Sequence, residues 1–252
     1  RGVGHLRLRE NHCWTLLTTL QELKGFEEKR ETQAAPTTAE PYVVIVGGGQ
    51  GGIALGARLK RLGVPAVVLE KNERAGDSWR KRYASLCLHD PVWYDHMPYL
   101  PFPDHWPVFT PKDRMGDWLE AYVKVMQIDY WASSPCIKAS YKDGFWEVET
   151  HRNGIPVILR PKHLVLATGM SGFPNVPQIP GVGRFEGKVL HSSRFEGGAA
   201  YQGKHCVVVG SGTSAHDICQ DLHDKGAEAV TMIQRAPAIV VRSQSLMQLA
   251  WG

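Results

Sequence analysis

Two glycine-rich segments of this chain have the residue spacing of loops that bind phosphate groups. The first, residues 47–52, reads GGGQGG and places Gly47, Gly49 and Gly52 on the G-x-G-x-x-G spacing. Glycine at these positions permits a tight turn, the close approach of a pyrophosphate and the packing of a helix against a strand. The expected chemistry is dinucleotide binding at a helix N-terminus, where unpaired N–H groups face the phosphates. The candidate contacts in this loop are Gly47, Gly49, Gln50, Gly51 and Gly52.

The segments on either side of this loop support the same interpretation. Residues 42–46 form a short, β-branched apolar run typical of a buried strand, and the apolar residues of 53–62 follow helical spacing. A second apolar strand, residues 66–69, ends at Glu70, whose carboxylate can accept hydrogen bonds from both hydroxyls of a ribose. Lys71 is a further candidate contact. A lone motif also occurs in ordinary glycine-rich turns, but strand, glycines, helix, strand and acid in this order predict a dinucleotide site.

A second strand, glycine loop and helix occupy residues 205–226. The loop is of the G-x-G-x-x-A form, and the next strand, at 229–233, is followed by Arg235 with no acid beside it. An arginine can bind a 2′-phosphate through charge-assisted hydrogen bonds, and the alternative is a solvated surface arginine. The opposite charges of Glu70 and Arg235 predict FAD in the first unit, NADPH in the second and hydride transfer between them. The candidate contacts here are Gly210, Ser211, Gly212, Thr213, Ser214, Ala215 and Arg235.

Composition argues against several other classes of function. A net charge of +4 over 252 residues leaves no basic tract typical of nucleic-acid binding, and the apolar runs are strand-sized, so no membrane span is expected. The cysteines form no C-x-x-C pair, which argues against a redox-active dithiol and a zinc cluster and favours a reducing, cytoplasmic compartment. His89, His96 and His105 lie near acidic residues without compact ligand spacing, so no metal site is expected.

The pattern along the chain predicts an α/β fold with two Rossmann-like dinucleotide-binding domains. Residues 1–40 are interpreted as the tail of an upstream domain, with a strand at 12–20, and a linker rich in Thr, Ala and Pro. Residues 41–180 are assigned to an FAD-binding domain into which an antiparallel meander is inserted from Cys136 onward. Residues 181–252 are assigned to an incomplete NADPH-binding domain. Because the chain does not open with Met and stops within that domain, we expect a truncated protein.

Three further segments lie between the two glycine loops. Residues 85–106 are dense in aromatic residues and prolines, which excludes a regular helix and predicts an ordered loop or a wall of the cofactor pocket. Thr110 is expected to cap a helix with proline at its first position and one apolar face. A buried strand at 164–166 is expected to lead to Thr168 and Gly169, beside the first loop.

Several short motifs resemble those of class B flavin-dependent monooxygenases. Residues 185–195 follow the F-x-G-x-x-x-H-x-x-x-[WYF] signature of that family. Residues 76–79 are similar to its G-G-x-W element, departing at the second glycine, and residues 167–169 resemble its A-T-G element. Residues 86–91 look most like the plant-type indole-pyruvate monooxygenases and their microbial relatives.

The resemblance implies an NADPH- and FAD-dependent monooxygenase. In such an enzyme NADPH reduces FAD, O₂ adds at flavin C4a, and the peroxyflavin transfers one oxygen atom to a small organic substrate. His89 is the candidate catalytic residue, near the flavin edge, and the alternative is a structural histidine. Segment 185–195 is expected to govern how NADPH consumption is coupled to oxygenation. The further cofactor contacts are Ser78, Trp79, Thr168, Gly169 and His191.

Two alternatives stay open on the sequence alone. The first is an NADPH oxidase that makes only hydrogen peroxide, and the second is a catalytically silent dinucleotide-binding fragment. The sequence names neither the substrate nor the oligomeric state.

Overall fold

The computed structural model of this protein describes residues 2–10, 12–20, 40–170, 172–242 and 245. Within these residues it has a mixed α/β architecture of parallel and antiparallel sheets. In chain order, the strands and helices are β1 (Gly2–Arg9), β2 (His12–Leu20), β3 (Val43–Val46), α1 (Gln50–Arg61), β4 (Ala66–Leu69), α2 (Asp77–Arg80), α3 (Lys112–Val125), β5 (Tyr130–Trp131), β6 (Cys136–Lys142), β7 (Phe145–Arg152), β8 (Ile155–Leu159), β9 (His163–Leu166), β10 (His205–Val209), α4 (Thr213–Asp224) and β11 (Ala229–Ile233). Of the helices in this part of the chain, none is both long and apolar enough to cross a membrane.

The described residues divide into two compact units. The first comprises those within Arg1–Ala75, Met97–Pro101 and Leu119–Gly169, and the second those within Gly76–His96, Phe102–Trp118 and Met170–Gly252. The first glycine loop therefore belongs to the first unit and the second loop to the second unit. The domain boundaries inferred from the sequence, after residues 40 and 180, stay a prediction.

The first unit is built on a parallel sheet with the strand order β5-β4-β3-β9. Strand β3 is buried on both faces. Ile45 lies on the α1 side, close to Gly52, whereas Val44 packs in a cluster with Val148 and Leu159 of the antiparallel sheet β6-β7-β8. Parallel strands covered on both faces form continuous apolar runs, which is why residues 43–46 were recognisable as a strand.

The antiparallel meander and the N-terminal strand are confirmed. Strands β6, β7 and β8 pair antiparallel in sequence order, and they lie between β5 and β9 in the chain. Strand β2 pairs antiparallel with β1. Most of the predicted linker, residues 32–39, lies outside the described residues.

The strand predicted at residues 164–166 is confirmed, but the prediction that it is buried is wrong. The segment is the strand β9, but β9 lies at the edge of its sheet, next to β3 only. Leu166 keeps 72% of its surface exposed because none of the described residues covers its face of the edge strand. An apolar sequence run thus marked a strand without fixing its depth in the sheet.

The predicted N-cap of α3 is also wrong. The first helical hydrogen bond runs from the Met115 N–H to the Pro111 carbonyl at 3.0 Å, so the helix begins at Lys112 and Pro111, rather than Thr110, is at the N-cap position. The Thr110 carbonyl instead accepts a hydrogen bond from Leu88 N at 2.8 Å. This pairing lies beside the Cys87–Pro111 bridge, and the buried Oγ1 of Thr110 has no hydrogen-bond partner among the described residues.

The second unit is built on the parallel pair β10-β11 with α4 packed against it. Its core contains Tyr83 and Leu86 from the loop after α2, Phe195, and Ile218 and Leu222 of α4. The loop at 85–106 has no regular helix, as its prolines predict. Alternate residues of β10 differ in burial. Cys206 and Val208 pack against this core, whereas the side chains between and after them point to an exposed face.

Candidate functional site

The first glycine loop has two positions where the backbone leaves no room for a side chain. Gly47 has φ +110° and backs onto the Ala167 carbonyl, so a residue with a Cβ atom would be strained and would collide there. A Cβ atom on Gly52 would collide with the Gly47 carbonyl. These contacts are the tight turn and the close helix–strand packing that the spacing predicts.

Two other glycines of the loop, Gly49 and Gly51, face open space. A Cβ atom on Gly49 or on Gly51 would meet nothing within 4 Å. Gly49 is the N-cap of α1, which starts at Gln50, and as a glycine it provides no side-chain cap for the first turn. The loop therefore fits a pyrophosphate, which would accept hydrogen bonds from these N–H groups.

The buried side chain of Glu70 holds this loop in place through hydrogen bonds. Its Oε2 accepts a hydrogen bond from Gly48 N at 2.8 Å, and its Oε1 accepts from the backbone and side-chain nitrogens of Asn72 at 2.8 and 2.6 Å. The residue is 7% exposed. An ionised carboxylate offers about four acceptor positions, so three protein donors leave room for about one ribose hydroxyl rather than two.

Two residues near the first loop were missed by the sequence analysis. Asn72 donates twice to Glu70, and Tyr130 donates its hydroxyl to the Gly48 carbonyl at 3.2 Å. Tyr130 reaches the loop because β5 pairs with β4 and ends at the same edge of the sheet. No local pattern marks such a contact, because it joins residues 82 positions apart in the chain.

The carboxyl ends of three parallel strands meet at this edge, which is the place where such sheets bind nucleotides. Gly47 N donates to the Leu69 carbonyl and Ala167 N to the Val46 carbonyl, both at 2.8 Å. The loop, Glu70 and the start of the Ala-Thr-Gly segment are thereby brought together. Lys71, Thr168 and Gly169 follow at the exposed side of this edge.

The second glycine loop repeats this geometry on β10 and α4. Gly210 has φ +129°, and its N–H donates to the Ile233 carbonyl at 2.9 Å. Gly212 is the N-cap of α4 without a side-chain cap, and a Cβ atom there would meet nothing within 4 Å. Arg235 is exposed just after β11 and forms no ion pair with the described residues. The remaining candidates of this loop, Ser211, Thr213, Ser214 and Ala215, lie at or beside the start of α4.

A cluster of polar side chains lies beside this loop in the second unit. Asp217, on α4, accepts a hydrogen bond from the Tyr83 hydroxyl at 2.8 Å, and the same oxygen, Oδ2, lies 3.1 Å from Nε2 of His89. The side chain of Ser214 also hydrogen-bonds with Tyr83. The sequence analysis named His89 and Ser214 but missed Tyr83 and Asp217. The helical spacing of Ser214 and Asp217, three residues apart on one face, was the available signal.

Burial and the Asp217 carboxylate keep the neighbouring acids protonated. Burial raises the pKa of Tyr83, and the hydrogen bond and charge of Asp217 raise it further, against an opposing effect of Ser214. Burial also raises the pKa of the Cys87 thiol, with a smaller contribution from Asp217. Tyr83 is therefore a hydrogen-bond donor to Asp217 at neutral pH, and Cys87 is not an activated thiolate.

The 185–195 segment is held by local contacts. His191 caps the short 3₁₀ helix Ser192–Arg194, with its Nδ1 accepting from Ser193 N at 3.2 Å and lying 2.9 Å from Ser193 Oγ. Phe195 is buried in the core of the second unit, where its ring stacks on Tyr201 at 5.9 Å between centroids. The ring of Phe185 lies where a Cβ atom of Gly187 would be, so the glycine makes room for a side chain.

The residue at which the chain departs from the G-G-x-W element, Asp77, is part of a partly buried ion pair. Asp77, the first residue of α2, lies 3.2 Å from Arg80, and Arg80 also donates to Asp117 at 2.8 Å. Trp79 packs against the core of the second unit, whereas Ser78 is exposed. An acid is stabilised in the first turn of a helix and here has a partner in the same turn.

Of the three histidines that lie near acidic residues in the sequence, His89 contacts Asp217 and His96 has another hydrogen-bond partner. His96 accepts a hydrogen bond from Phe102 N at 2.9 Å and lies edge-on to the Phe102 ring. In the part of the chain that the structure describes, no three His, Cys, Asp or Glu side chains are arranged to hold a metal ion.

Comparison with known proteins gives the family. The model of the family described as pyridine nucleotide-disulphide oxidoreductase matches residues 44–249. The chain belongs to this family. The match includes both glycine loops, so both βαβ units of the structure lie within the oxidoreductase family model.

Curated relatives refine the place of the chain within this family. Indole-3-pyruvate monooxygenase YUCCA1 of Oryza sativa subsp. japonica is 34% identical over 223 residues, which cover 87% of this chain and 51% of that protein. Probable indole-3-pyruvate monooxygenase YUCCA9 of Arabidopsis thaliana is 33% identical over 213 residues, with coverages of 83% and 50%. The resemblance to class B flavin-dependent monooxygenases is confirmed by these relatives. The chain spans about half the length of the curated relatives it matches.

Solved structures share the fold of this chain. A flavin-containing monooxygenase from Stenotrophomonas maltophilia has a TM-score of 0.72 at 23% identity, covering 83% of this chain and 63% of that one. The bacillithiol disulfide reductase Bdr from Staphylococcus aureus has a TM-score of 0.70 at 19% identity, with coverages of 84% and 62%. A monooxygenase and a reductase thus have the same fold, and the fold alone does not choose between their reactions.

Proposed function

We propose that this protein is an NADPH- and FAD-dependent monooxygenase in which the first loop binds FAD and the second binds NADPH. The observation that carries the proposal is the pair of open glycine loops followed by residues of opposite charge. Glu70 ends the strand after the first loop, and Arg235 follows the strand after the second. An acid suits ribose hydroxyls, and an exposed arginine suits the 2′-phosphate of NADPH.

The residues of the two loops bind and orient the cofactors rather than carry out bond chemistry. FAD, when bound, accepts hydride from NADPH and activates O₂. The N–H groups at the start of α1 and α4 bind the phosphates, and Glu70 and Asn72 hold the first loop in shape. His89 is the candidate for contact with the reacting groups.

The substrate class that we propose is an aromatic 2-oxo acid. The support is the name of the plant relatives, which are indole-3-pyruvate monooxygenases at 33–34% identity. The chain also has Leu-Cys-Leu-His at 86–89, the segment in which the resemblance to these enzymes is most specific.

The test is turnover of the purified protein with indole-3-pyruvate, NADPH and isotopically labelled O₂. We expect bound flavin by its visible absorbance and one labelled oxygen atom in the organic product. NADPH consumption that yields only hydrogen peroxide would identify an oxidase. Protein that holds no flavin and consumes no NADPH would identify a silent binding module, and either result would contradict the proposal.

A further inference from the structure

We infer that Asp217 is a positioning residue that holds the imidazole of His89 in the Nε2–H tautomer and so presents Nδ1 as its acceptor. The inference deepens the proposed function, in which His89 is the candidate for contact with the reacting groups. It rests on one polar cluster in the second unit, formed by Tyr83, His89, Ser214 and Asp217.

The geometry gives one carboxylate oxygen two partners. Oδ2 of Asp217 lies 2.8 Å from the Tyr83 hydroxyl and 3.1 Å from Nε2 of His89. The oxygen of a carboxylate has two lone pairs, so these two donors satisfy it. Tyr83 is buried and Asp217 is partly buried, whereas 47% of the His89 side chain is exposed. The ring of His89 is therefore held on one side and accessible on another.

The chemistry of the partners assigns the tautomer. An ionised carboxylate has no proton to donate, so Nε2 of His89 carries the hydrogen in this contact. In the neutral imidazole the lone pair is then on Nδ1, which has no hydrogen-bond partner among the described residues.

The elements that carry the two residues are fixed. The segment 86–88 pairs with 110–112, through Leu88 N to the Thr110 carbonyl at 2.8 Å and Lys112 N to the Leu86 carbonyl at 3.0 Å. Tyr83 and Leu86 also pack with Ile218 of α4. A functional side chain needs such support if its ring is to stay in one orientation.

The same helix connects this cluster to the second glycine loop. Ser214 lies in the first turn of α4 and hydrogen-bonds with Tyr83, and Asp217 follows one turn later. Asp217 is separated by a turn from the N–H groups that would bind phosphate. Its role is therefore predicted to appear in turnover and in the state of His89, rather than in the affinity for the nucleotide.

The test reads the tautomer directly by nitrogen-15 NMR of histidine-labelled protein at a pH where imidazoles are neutral. The His89 signals are assigned by their loss in His89→Gln. In the wild type we expect hydrogen on Nε2 and the lone pair on Nδ1. In Asp217→Asn we expect a mixture of tautomers, because an amide both donates and accepts. Asp224→Asn, the same change at an exposed acid of α4, is the matched control and should leave the His89 signals unchanged.

Turnover supplies the second measurement. Asp217→Asn should lower kcat on the order of 10-fold, the scale typical for orienting partners of metal-binding imidazoles, with little change in KM for NADPH. In a His89→Gln background the same change should add no further loss, since Asp217 acts through His89. Additive losses, or a loss confined to KM for NADPH, would overturn the inference.

The outcomes separate this inference from the proposed function. The NMR experiment needs neither cofactor nor substrate, so it stands even if oxygenation is not observed. Hydrogen on Nδ1 in the wild type overturns the inference whether or not Asp217→Asn folds. Tyr83→Phe removes the other donor to Asp217 and should preserve the tautomer, which distinguishes the Asp217–His89 contact from general disruption of the cluster.

Discussion

The Oε2 atom of Glu70 accepts a hydrogen bond from Gly48 N at 2.8 Å, so the acid that follows β4 holds the glycine loop that follows β3. With Asn72 on its other oxygen, this buried carboxylate is part of the loop as well as a candidate ribose contact. A substitution of Glu70 is therefore expected to alter both the conformation of the loop and the binding of the cofactor.

We predict that Glu70→Gln lowers the free energy of unfolding by about 1–3 kcal/mol, because the new amide group meets donors that then lack an acceptor. It should also lower the flavin content of the purified protein without a comparable change in NADPH affinity. Denaturant unfolding and the flavin-to-protein absorbance ratio measure the two effects. Glu73→Gln, at an exposed acid nearby, is the control. Full flavin occupancy in Glu70→Gln would remove Glu70 from the flavin site.

Arg235→Ala is predicted to weaken the binding of NADPH far more than the binding of NADH. The lost charge-assisted hydrogen bond to the 2′-phosphate is worth about 1.5–3 kcal/mol, which is roughly 10- to 150-fold in affinity. Titration of both nucleotides into the variant measures the ratio of the dissociation constants. Arg184→Ala, another exposed arginine of the second unit, should leave the ratio unchanged. If the affinities for both nucleotides fall equally, Arg235 has a role other than recognition of the 2′-phosphate.

His191→Ala is predicted to uncouple the reaction. The change removes the cap on Ser192–Arg194, so the 185–195 segment loosens while both glycine loops keep their contacts. We expect bound flavin and reduction by NADPH to persist, and more hydrogen peroxide to be released per NADPH consumed. His205→Ala, at an exposed histidine on β10, is the control. If His191→Ala keeps wild-type coupling and loses only NADPH binding, the segment is a cofactor contact.

The raised pKa of Tyr122 predicts how the free energy of unfolding depends on pH. Its hydroxyl donates to the Pro98 carbonyl at 2.6 Å, and burial, helped by Tyr99, raises its pKa to about 12 against an opposing effect of Arg61. An unfolded tyrosine ionises near pH 10. Below that pH both states hold the proton and stability is unaffected. Between pH 10 and 12 the folded state retains the Tyr122 proton whereas the unfolded state loses it. The free energy of unfolding therefore falls as the pH rises through this range.

The measurement is the free energy of unfolding between pH 8 and 12. We expect a fall of about 2 kcal/mol attributable to Tyr122 across that window. Tyr122→Phe should reduce the slope, with a residual slope from Tyr83, whose pKa is also raised. Tyr94→Phe, at an exposed tyrosine, should leave the slope as it is. An identical slope in Tyr122→Phe would show that Tyr122 titrates normally.

The sequence predicted the two βαβ units because their signals are local. In the first unit, a strand covered on both faces is an unbroken apolar run, and the turn after it needs glycine where Gly47 and Gly52 meet backbone. Depth in the sheet is not local, so Leu166 on β9 was wrongly expected to be buried. The cap at Thr110 failed for the same reason, since its partner Leu88 comes from another segment.

The parts of the candidate site that escaped prediction are contacts between distant segments. Asp217 meets His89 across 128 positions, and Tyr130 meets Gly48 across 82. Neither pair leaves a periodic pattern, because each depends on which loop and which helix the fold places side by side. The roles of His89 and of the cofactor contacts stay predictions until the variants are measured.

The side of β10 that none of the described residues covers has a practical consequence. Val207 and Val209 are 61% and 59% exposed, and Ile233 of the neighbouring β11 extends the same kind of surface. A flat apolar sheet surface of this kind adheres to copies of itself. At the concentrations used for NMR or crystallisation, the protein is therefore expected to aggregate, and light scattering that rises with protein concentration would reveal it. Replacing Val207 by threonine, which keeps the β-branched shape and adds a hydroxyl, is the first change to make when preparing samples.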